Sequence, residues 1–313
     1  MLDPELTVQA AMQVWQAAVL GLVEGVTEYL PVSSTGHLIL TSSLLGLNEP
    51  EHVKRAVDDF NIVVQGGAIL AVLGLYWPRV WQMLKGLVGR DRAGLRLAIN
   101  IIVAFLPAAV LGVLLNDWIE AKLFNPASVL TALALGGVFM IALDRFKIGP
   151  MRRADARAEA GEDVPEDERG HEIDDLTPIK ALVVGFMQCV AMWPGTSRSM
   201  MTIVGGVLVG LRPKAAAEFS FLLGLPTLGG ACLYSLAKNL KESHETGTPN
   251  MIEVIGVVPI AVGLVVATVS AAIAVRWLVG FLNRHGLSVF GWYRLVLCAV
   301  LGGLLAAGVV TFG

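Results

Sequence analysis

Two glutamates, Glu24 and Glu28, stand alone in an apolar stretch that runs on into Pro31-Val32-Ser33-Ser34-Thr35-Gly36-His37. They are the only acids between Glu5 and Glu49, and no Lys or Arg precedes Lys54. Four residues apart, they share one face of a helix. Two carboxylates in a low-dielectric site can bind a divalent cation, or one of them can act as acid or base. Burying both for structure alone is expensive. Ser33, Ser34 and Thr35 suit the N-cap of a helix continuing through His37-Leu38-Ile39-Leu40, but capping uses one hydroxyl, not three beside a histidine. Such a helix start also offers free amides and a partial positive charge, so it can hold an anion. Pro194-Gly195-Thr196-Ser197-Arg198-Ser199 builds a second start of the same kind, and Arg198 is the only charged residue between Lys180 and Arg212. Its planar fork suits a phosphate. The plainer role is that of ion-pair partner to Glu24 or Glu28.

The elements that must position these residues belong to a membrane. Of 313 residues, 55% are hydrophobic and only 16% charged, with a mean hydropathy of +0.68. Soluble domains carry about 25% charged residues. Six apolar runs, 61–77, 97–115, 127–143, 216–236, 254–275 and 292–312, approach the ~20 residues a spanning helix needs. Two further segments, 11–46 and 179–211, are apolar but interrupted by the Pro-Ser clusters above. They read as helix, break, helix, a re-entrant form tolerated at membrane depth where it is buried in protein or lines a cavity. Cys189, Cys232 and Cys298 fall inside apolar runs as small core residues, with no disulfide or metal spacing. The net charge of −3 gives no sign of nucleic acid as a partner, and the first apolar run lacks the basic flank of a signal peptide.

Charge in the connections sets the orientation. Stretch 78–96 carries Arg79, Lys85, Arg90, Arg92 and Arg96 against Asp91, and 276–294 carries Arg276, Arg284 and Arg294 with no acid. By the positive-inside rule both are cytoplasmic. The N-terminus, with Asp3 and Glu5, and stretches 46–60, 116–126 and 237–253 then lie outside. The first interrupted segment must therefore enter from outside and the second from the cytoplasm, each followed by three spans. The expected fold is an all-α polytopic membrane protein of two inverted-topology repeats, each a re-entrant hairpin plus three spans. Repeat one covers 1–145, a charged cytoplasmic linker 146–177, and repeat two 178–313, forming one membrane domain. Internal similarity agrees: Gly21-x-x-Glu24 parallels Gly185-x-x-Gln188, Pro31 to Ser34 parallels Pro194 to Ser197, and Phe60 with Tyr76 echoes Phe219 with Tyr234, one residue out of step. The linker is polar and aperiodic, as a mobile connection would be. His52, His171, His244 and His285 fall in predicted loops, and Trp77, Trp81, Trp118, Trp277 and Trp292 near span ends as interfacial anchors.

Two tips approaching the midplane from opposite faces would bring together two positive helix ends, Arg198, several hydroxyls, His37 and both acids. Such a pocket suits a multiply charged anion, and a phosphate ester or anhydride with a greasy far end fits best. Serine and histidine beside it are candidate nucleophile and acid–base. Inverted repeats with broken helices are also the plan of secondary transporters. A carrier or flippase for a lipid phosphate or other anion, with Glu24 and Glu28 coupled to protons, is the alternative. It has little use for Ser34, His37, Arg198 and Ser199 in one cluster.

The two motifs resemble those of bacterial undecaprenyl pyrophosphate phosphatase, the bacitracin-resistance family. Glu24 through His37 match its glutamate-rich helix ending in Pro-Val-Ser-Ser-Thr-Gly-His, and Pro194, Gly195, Ser197, Arg198, Ser199 and Thr202 match its Pro-Gly-x-Ser-Arg-Ser-x-x-Thr. The likeness continues through Ala217 to Leu222, while linker 150–175 is longer and more charged than the family leads one to expect. The resemblance implies hydrolysis of undecaprenyl pyrophosphate to undecaprenyl phosphate and phosphate, recycling the lipid carrier of cell-wall synthesis. It also implies dependence on a divalent cation, Mg²⁺ or Ca²⁺, and an inner-membrane location with the active site facing the periplasm or exterior. On this reading Glu24, Glu28, Ser34, His37 and Arg198 are catalytic, with Glu24 and Glu28 also the metal ligands. Ser33, Thr35, Ser197, Ser199 and Thr202 would bind the diphosphate. Ser34 attacks with His37 as base or acid, or the assignment is reversed through a phosphohistidine. The partners are the polyprenyl diphosphate, membrane lipids and a second copy of the chain in a homodimer.

Overall fold

The computed structural model describes residues 12–146, 161, 170–282 and 285–310, and these form helices joined by short turns, with no β-strand among them. Six helices are long and apolar enough to cross a membrane: α3 (Glu51–Leu75), α5 (Arg92–Leu123), α6 (Pro126–Arg145), α9 (Pro213–Thr246), α11 (Val257–Leu282) and α12 (Ser288–Ala306). This is a multi-pass membrane protein, because lipid leaves a chain of this composition no partner for its amides except its own helix.

Most spans exceed the apolar runs that foretold them, since polar turns prolong a helix past the bilayer. In α3 the turns from Glu51 to Asp59 precede the apolar part, placing His52 in a helix rather than a loop, and His244 likewise lies in the last turn of α9. The run expected from 254 begins at 257, because Gly256, at φ 88°, separates α11 from a short helix, α10 (Met251–Ile255). The basic connection 78–96 also holds a helix, α4 (Trp77–Leu87), with Pro78 in its first turn.

Each interrupted segment forms two short helices, α1 (Val14–Thr27) with α2 (Ser34–Leu44), and α7 (Pro178–Val190) with α8 (Arg198–Leu208). At 1.5 Å per residue, α1 rises about 21 Å and α2 about 16 Å, short of a hydrocarbon core of about 30 Å. The two halves thus follow one order of elements, α1–α6 and α7–α12. They are also interlocked. Gly21 of α1 lies so close to Gly263 of α11 that a Cβ would sit 2.4 Å from the Gly263 carbonyl oxygen, and Gly185 of α7 stands likewise 2.5 Å from that of Ala104 in α5. Small residues at such crossings replace the hydrophobic drive that lipid removes. Each hairpin therefore leans on the opposite half, and α6 packs along α12 between them.

The ends differ in chemistry. Met12, just before α1, shares an apolar cluster with Leu47, Val53, Met251 and Ile255. The segment before α7 is instead held by ionic and backbone bonds. His171 donates to the Gly210 carbonyl at 2.8 Å and accepts from the Arg212 amide at 3.0 Å. Arg79 bonds Asp174 at 3.2 Å and Glu218 at 2.8 Å. Ile173 and Leu176 are buried. Residues 170–177 are thus tied to neighbouring helices, where a mobile connection was expected; the rest of that linker, apart from Phe146 and Gly161, lies outside the described residues, as do Asp3, Glu5 and Arg284. Tyr76 and Tyr234, paired in the internal similarity, have different surroundings: Tyr76 packs on Phe221, while Tyr234 is exposed. The five anchor tryptophans are exposed at helix ends or flanks, and the three cysteines are free and half-buried.

Candidate active site

Leu30 and Trp193 each precede a proline, which pushes them out of helical backbone, so the hairpins break there. Both tips end on the same device. Ser33 (φ 74°, ψ 98°) and Ser197 (φ 76°, ψ 116°) are the N-caps of α2 and α8, each accepting from the amide three residues on, Gly36 at 3.5 Å and Met200 at 3.3 Å. L residues rarely adopt positive φ, and holding one there costs about 1–3 kcal/mol, a strain that clusters at functional sites. The caps also shift the register of the expected internal similarity: by position Ser33, not Ser34, is the counterpart of Ser197, so Ser34 stands where the second tip carries Arg198.

Glu28 joins the tips. Its Oε2 accepts from the Ser34 hydroxyl at 2.8 Å and its Oε1 from Arg198 Nη2 at 3.1 Å. The pair is enclosed, with the Arg198 and Glu28 side chains 10% and 6% exposed. Arg198 Nη1 donates to the Ser220 carbonyl at 3.1 Å, and its guanidinium carbon lies 5.5 Å from the Tyr29 ring centre. Gly224 of α9 makes room for it, since a Cβ there would press on the guanidinium at 3.1 Å. Ser199 donates to the Leu30 carbonyl at 2.9 Å, a second stitch between the tips. Glu24, one turn before Glu28, is fully buried with its carboxyl against that of Glu28, and neither of its oxygens accepts from a donor group; Arg198 Nε and the Tyr29 hydroxyl are likewise uncommitted. Buried polar atoms without partners are rare and call for an explanation.

The structure gathers Glu24, Glu28, Ser34, Arg198 and the two caps as expected. It does not join His37 to Ser34. His37 Nδ1 lies 2.7 Å from the Ser33 carbonyl and Nε2 2.7 Å from the Tyr293 hydroxyl. Ser197 bonds Ser199 at 3.0 Å, Thr202 bonds Ser220 at 2.6 Å and the Arg198 carbonyl at 2.9 Å, and Thr35 is half-buried in the first turn of α2. Thr202 and Ser199 therefore brace the site with the hydroxyls that sequence assigned to substrate.

Sequence reasoning missed Tyr293 and Arg294. Arg294 was counted among cytoplasmic charges; it lies inside α12 and is fully buried. It donates to the carbonyls of Gly195 at 2.7 Å and Thr196 at 3.0 Å in the second tip, and to those of Ala132 at 3.0 Å and Leu133 at 3.3 Å in α6. The signal was present. The last apolar run, 292–312, already contains Arg294, and an intramembrane arginine is a functional hypothesis by default.

Among the described residues no three His, Cys, Asp or Glu side chains cluster as a metal site. Two carboxylates at i and i+4, one of them uncommitted, still suit Mg²⁺, which is commonly held by one or two carboxylates plus substrate phosphates.

Known proteins share this chain's sequence over most of its length. Undecaprenyl-diphosphatase of Sorangium cellulosum (strain So ce56) is 43% identical over 287 residues, 92% of this chain and 85% of that protein. The undecaprenyl-diphosphatases of Acidovorax ebreus (strain TPSY) and Deinococcus radiodurans are each 41% identical, over 95% and 94% of this chain and 97% and 96% of their own. Residues 17–300, which contain both tips and α12 up to Val300, match the family described as bacitracin resistance protein BacA. With both motifs meeting on Glu28 and the match reaching all six spans, the chain belongs to the BacA family.

Proposed function

We propose that this protein is an integral-membrane undecaprenyl-diphosphatase, hydrolysing undecaprenyl pyrophosphate to undecaprenyl phosphate and phosphate and so recycling the lipid carrier for cell-wall synthesis. The observation that carries the reading is the Glu28 bridge, which sets a hydroxyl and a guanidinium from separate tips on one carboxylate. The names of the relatives support the substrate. Matched element order, matched serine caps and the reciprocal Gly21 and Gly185 crossings support a single domain of two inverted repeats whose hairpins are re-entrant. The charge pattern supports an inner-membrane orientation with α2 reached from the periplasm or exterior. On that side Ser34, Thr35 and His37 are half-buried, whereas α8 is buried from Ser199 to Val207. A homodimer would use lipid-facing sides such as that bearing Val113, 85% exposed.

In the reaction Arg198 and the amides at the starts of α2 and α8 hold the terminal phosphoryl and its developing charge. Binding transfers Arg198 from Glu28 to the phosphate, and this frees Glu28 to take the Ser34 proton. The Ser34 oxygen bonds phosphorus as the bridging P–O bond breaks, and undecaprenyl phosphate leaves. Water then attacks the phosphoserine, releasing phosphate and restoring the hydroxyl. His37 serves as acid–base partner for the leaving group. Glu24 and Glu28 would hold a divalent cation, which when bound neutralises phosphate charge. Ser34 is preferred to His37 as nucleophile because its hydroxyl already donates to a carboxylate.

Phosphate release from undecaprenyl diphosphate by the purified protein in detergent tests the reading. Turnover by the wild type with none by Ser34→Ala and Arg198→Ala supports it; absence of release by the wild type would favour a carrier or flippase. A trapped phosphoenzyme that withstands acid identifies serine, and one lost in acid identifies histidine.

A further inference from the structure

We propose that Tyr293 is a positioning residue for His37, fixing which nitrogen of the imidazole can exchange a proton; this rests on the phosphatase reading above. A carbonyl only accepts, so the 2.7 Å contact between His37 Nδ1 and the Ser33 carbonyl requires a proton on Nδ1. In the neutral ring Nε2 then bears the lone pair, and the Tyr293 hydroxyl at 2.7 Å donates to it. A hydroxyl can both give and accept, so after Nε2 gains a proton the same contact survives with its direction reversed. The two rings lie within 6° of parallel at 5.6 Å between centres, which leaves the imidazole little freedom to flip. The helix that carries the tyrosine is itself held. Its neighbour Arg294 is tied by four hydrogen bonds to α6 and the second tip. Nδ1 is closed off by the strained cap Ser33, so all proton traffic through His37 passes Nε2 and Tyr293.

Steady-state kinetics and nitrogen NMR on the full-length protein in detergent test this. Tyr293→Phe keeps the ring and deletes the hydroxyl. It lowers kcat about tenfold, the scale on which outer partners of a working histidine act, and leaves KM within about twofold. In a His37→Ala background the same change alters kcat by less than about twofold, because the two residues act as one unit. Equal losses in both backgrounds, or a loss confined to KM, would overturn the proposal. With ¹⁵N-histidine labelling and the His37→Ala spectrum for assignment, His37 shows a protonated Nδ1 and a bare Nε2, and the Nε2 signal moves in Tyr293→Phe. A proton on Nε2 with a bare Nδ1 would overturn it without any activity measurement. A wild type that releases no phosphate yet shows the expected nitrogen signals would remove the phosphatase reading alone.

Discussion

Glu28 commits one carboxylate oxygen to Ser34 and the other to Arg198, so in the proposed mechanism a single residue governs both the nucleophile and the phosphate clamp. Glu28→Gln keeps the size and removes the charge. It should cut kcat about 10²–10⁴-fold, the range for loss of a positioned acid–base group, as read by phosphate release. Arg198→Lys should fare little better than Arg198→Ala, with a loss of about a thousandfold or more, since an ammonium cannot reproduce the fork that reaches Glu28 and the Ser220 carbonyl together. These residues were legible in the sequence because a charge in an apolar run is conspicuous. Tyr293 was not: an aromatic near a span end reads as an interfacial anchor, and only the fold brings it to His37, 256 positions away. Nor did spacing show that Thr202 and Ser199 are engaged by Ser220 and Leu30, because both partners come from other elements.

The short helices begin at strained serines, and this gives a prediction of sign. At Ser197 glycine relieves the positive φ and, as a cap, costs only a few tenths of a kcal/mol, whereas alanine keeps the strain and forfeits about 1 kcal/mol of cap. Ser197→Ala should therefore unfold at lower temperature in detergent than Ser197→Gly, and the reverse order would mean that the strain is not stored there. The crossings are equally sharp. Gly21→Val meets the Gly263 backbone, which cannot yield as a side chain does, and should cost about 1–3 kcal/mol or more in thermal unfolding. Gly112→Ala in α5, with no atom within 4 Å of its Cβ, should cost nothing. The six spans and two breaks were readable because apolar length and Pro-Ser interruptions are local signals. Helix α4 and the strap 170–177 were not, since polar segments gain order from partners far along the chain, as Arg79 does from Asp174 and Glu218.

For the whole molecule the exchange of hairpins matters most. Helix α1 rests on α11 and α7 on α5, so a half expressed alone lacks the surface its hairpin needs. Residues 1–146 and 170–313 made separately should each be degraded or aggregate, and made together should co-purify and release phosphate; a stable lone half would contradict the interlock. The tie between Glu28 and Arg198 runs across the same divide, from the first half to the second. Separating a buried pair of this kind costs about 3–5 kcal/mol when nothing replaces the lost partner. Chloride or another monovalent ion offers too little in return to pry the guanidinium loose. A diphosphate, with several negative oxygens and helix amides waiting for them, offers enough. If Ser34 and Arg198 act as proposed, the Glu28 bridge sorts visitors by valence before any chemistry begins and keeps the nucleophile shut away from salt.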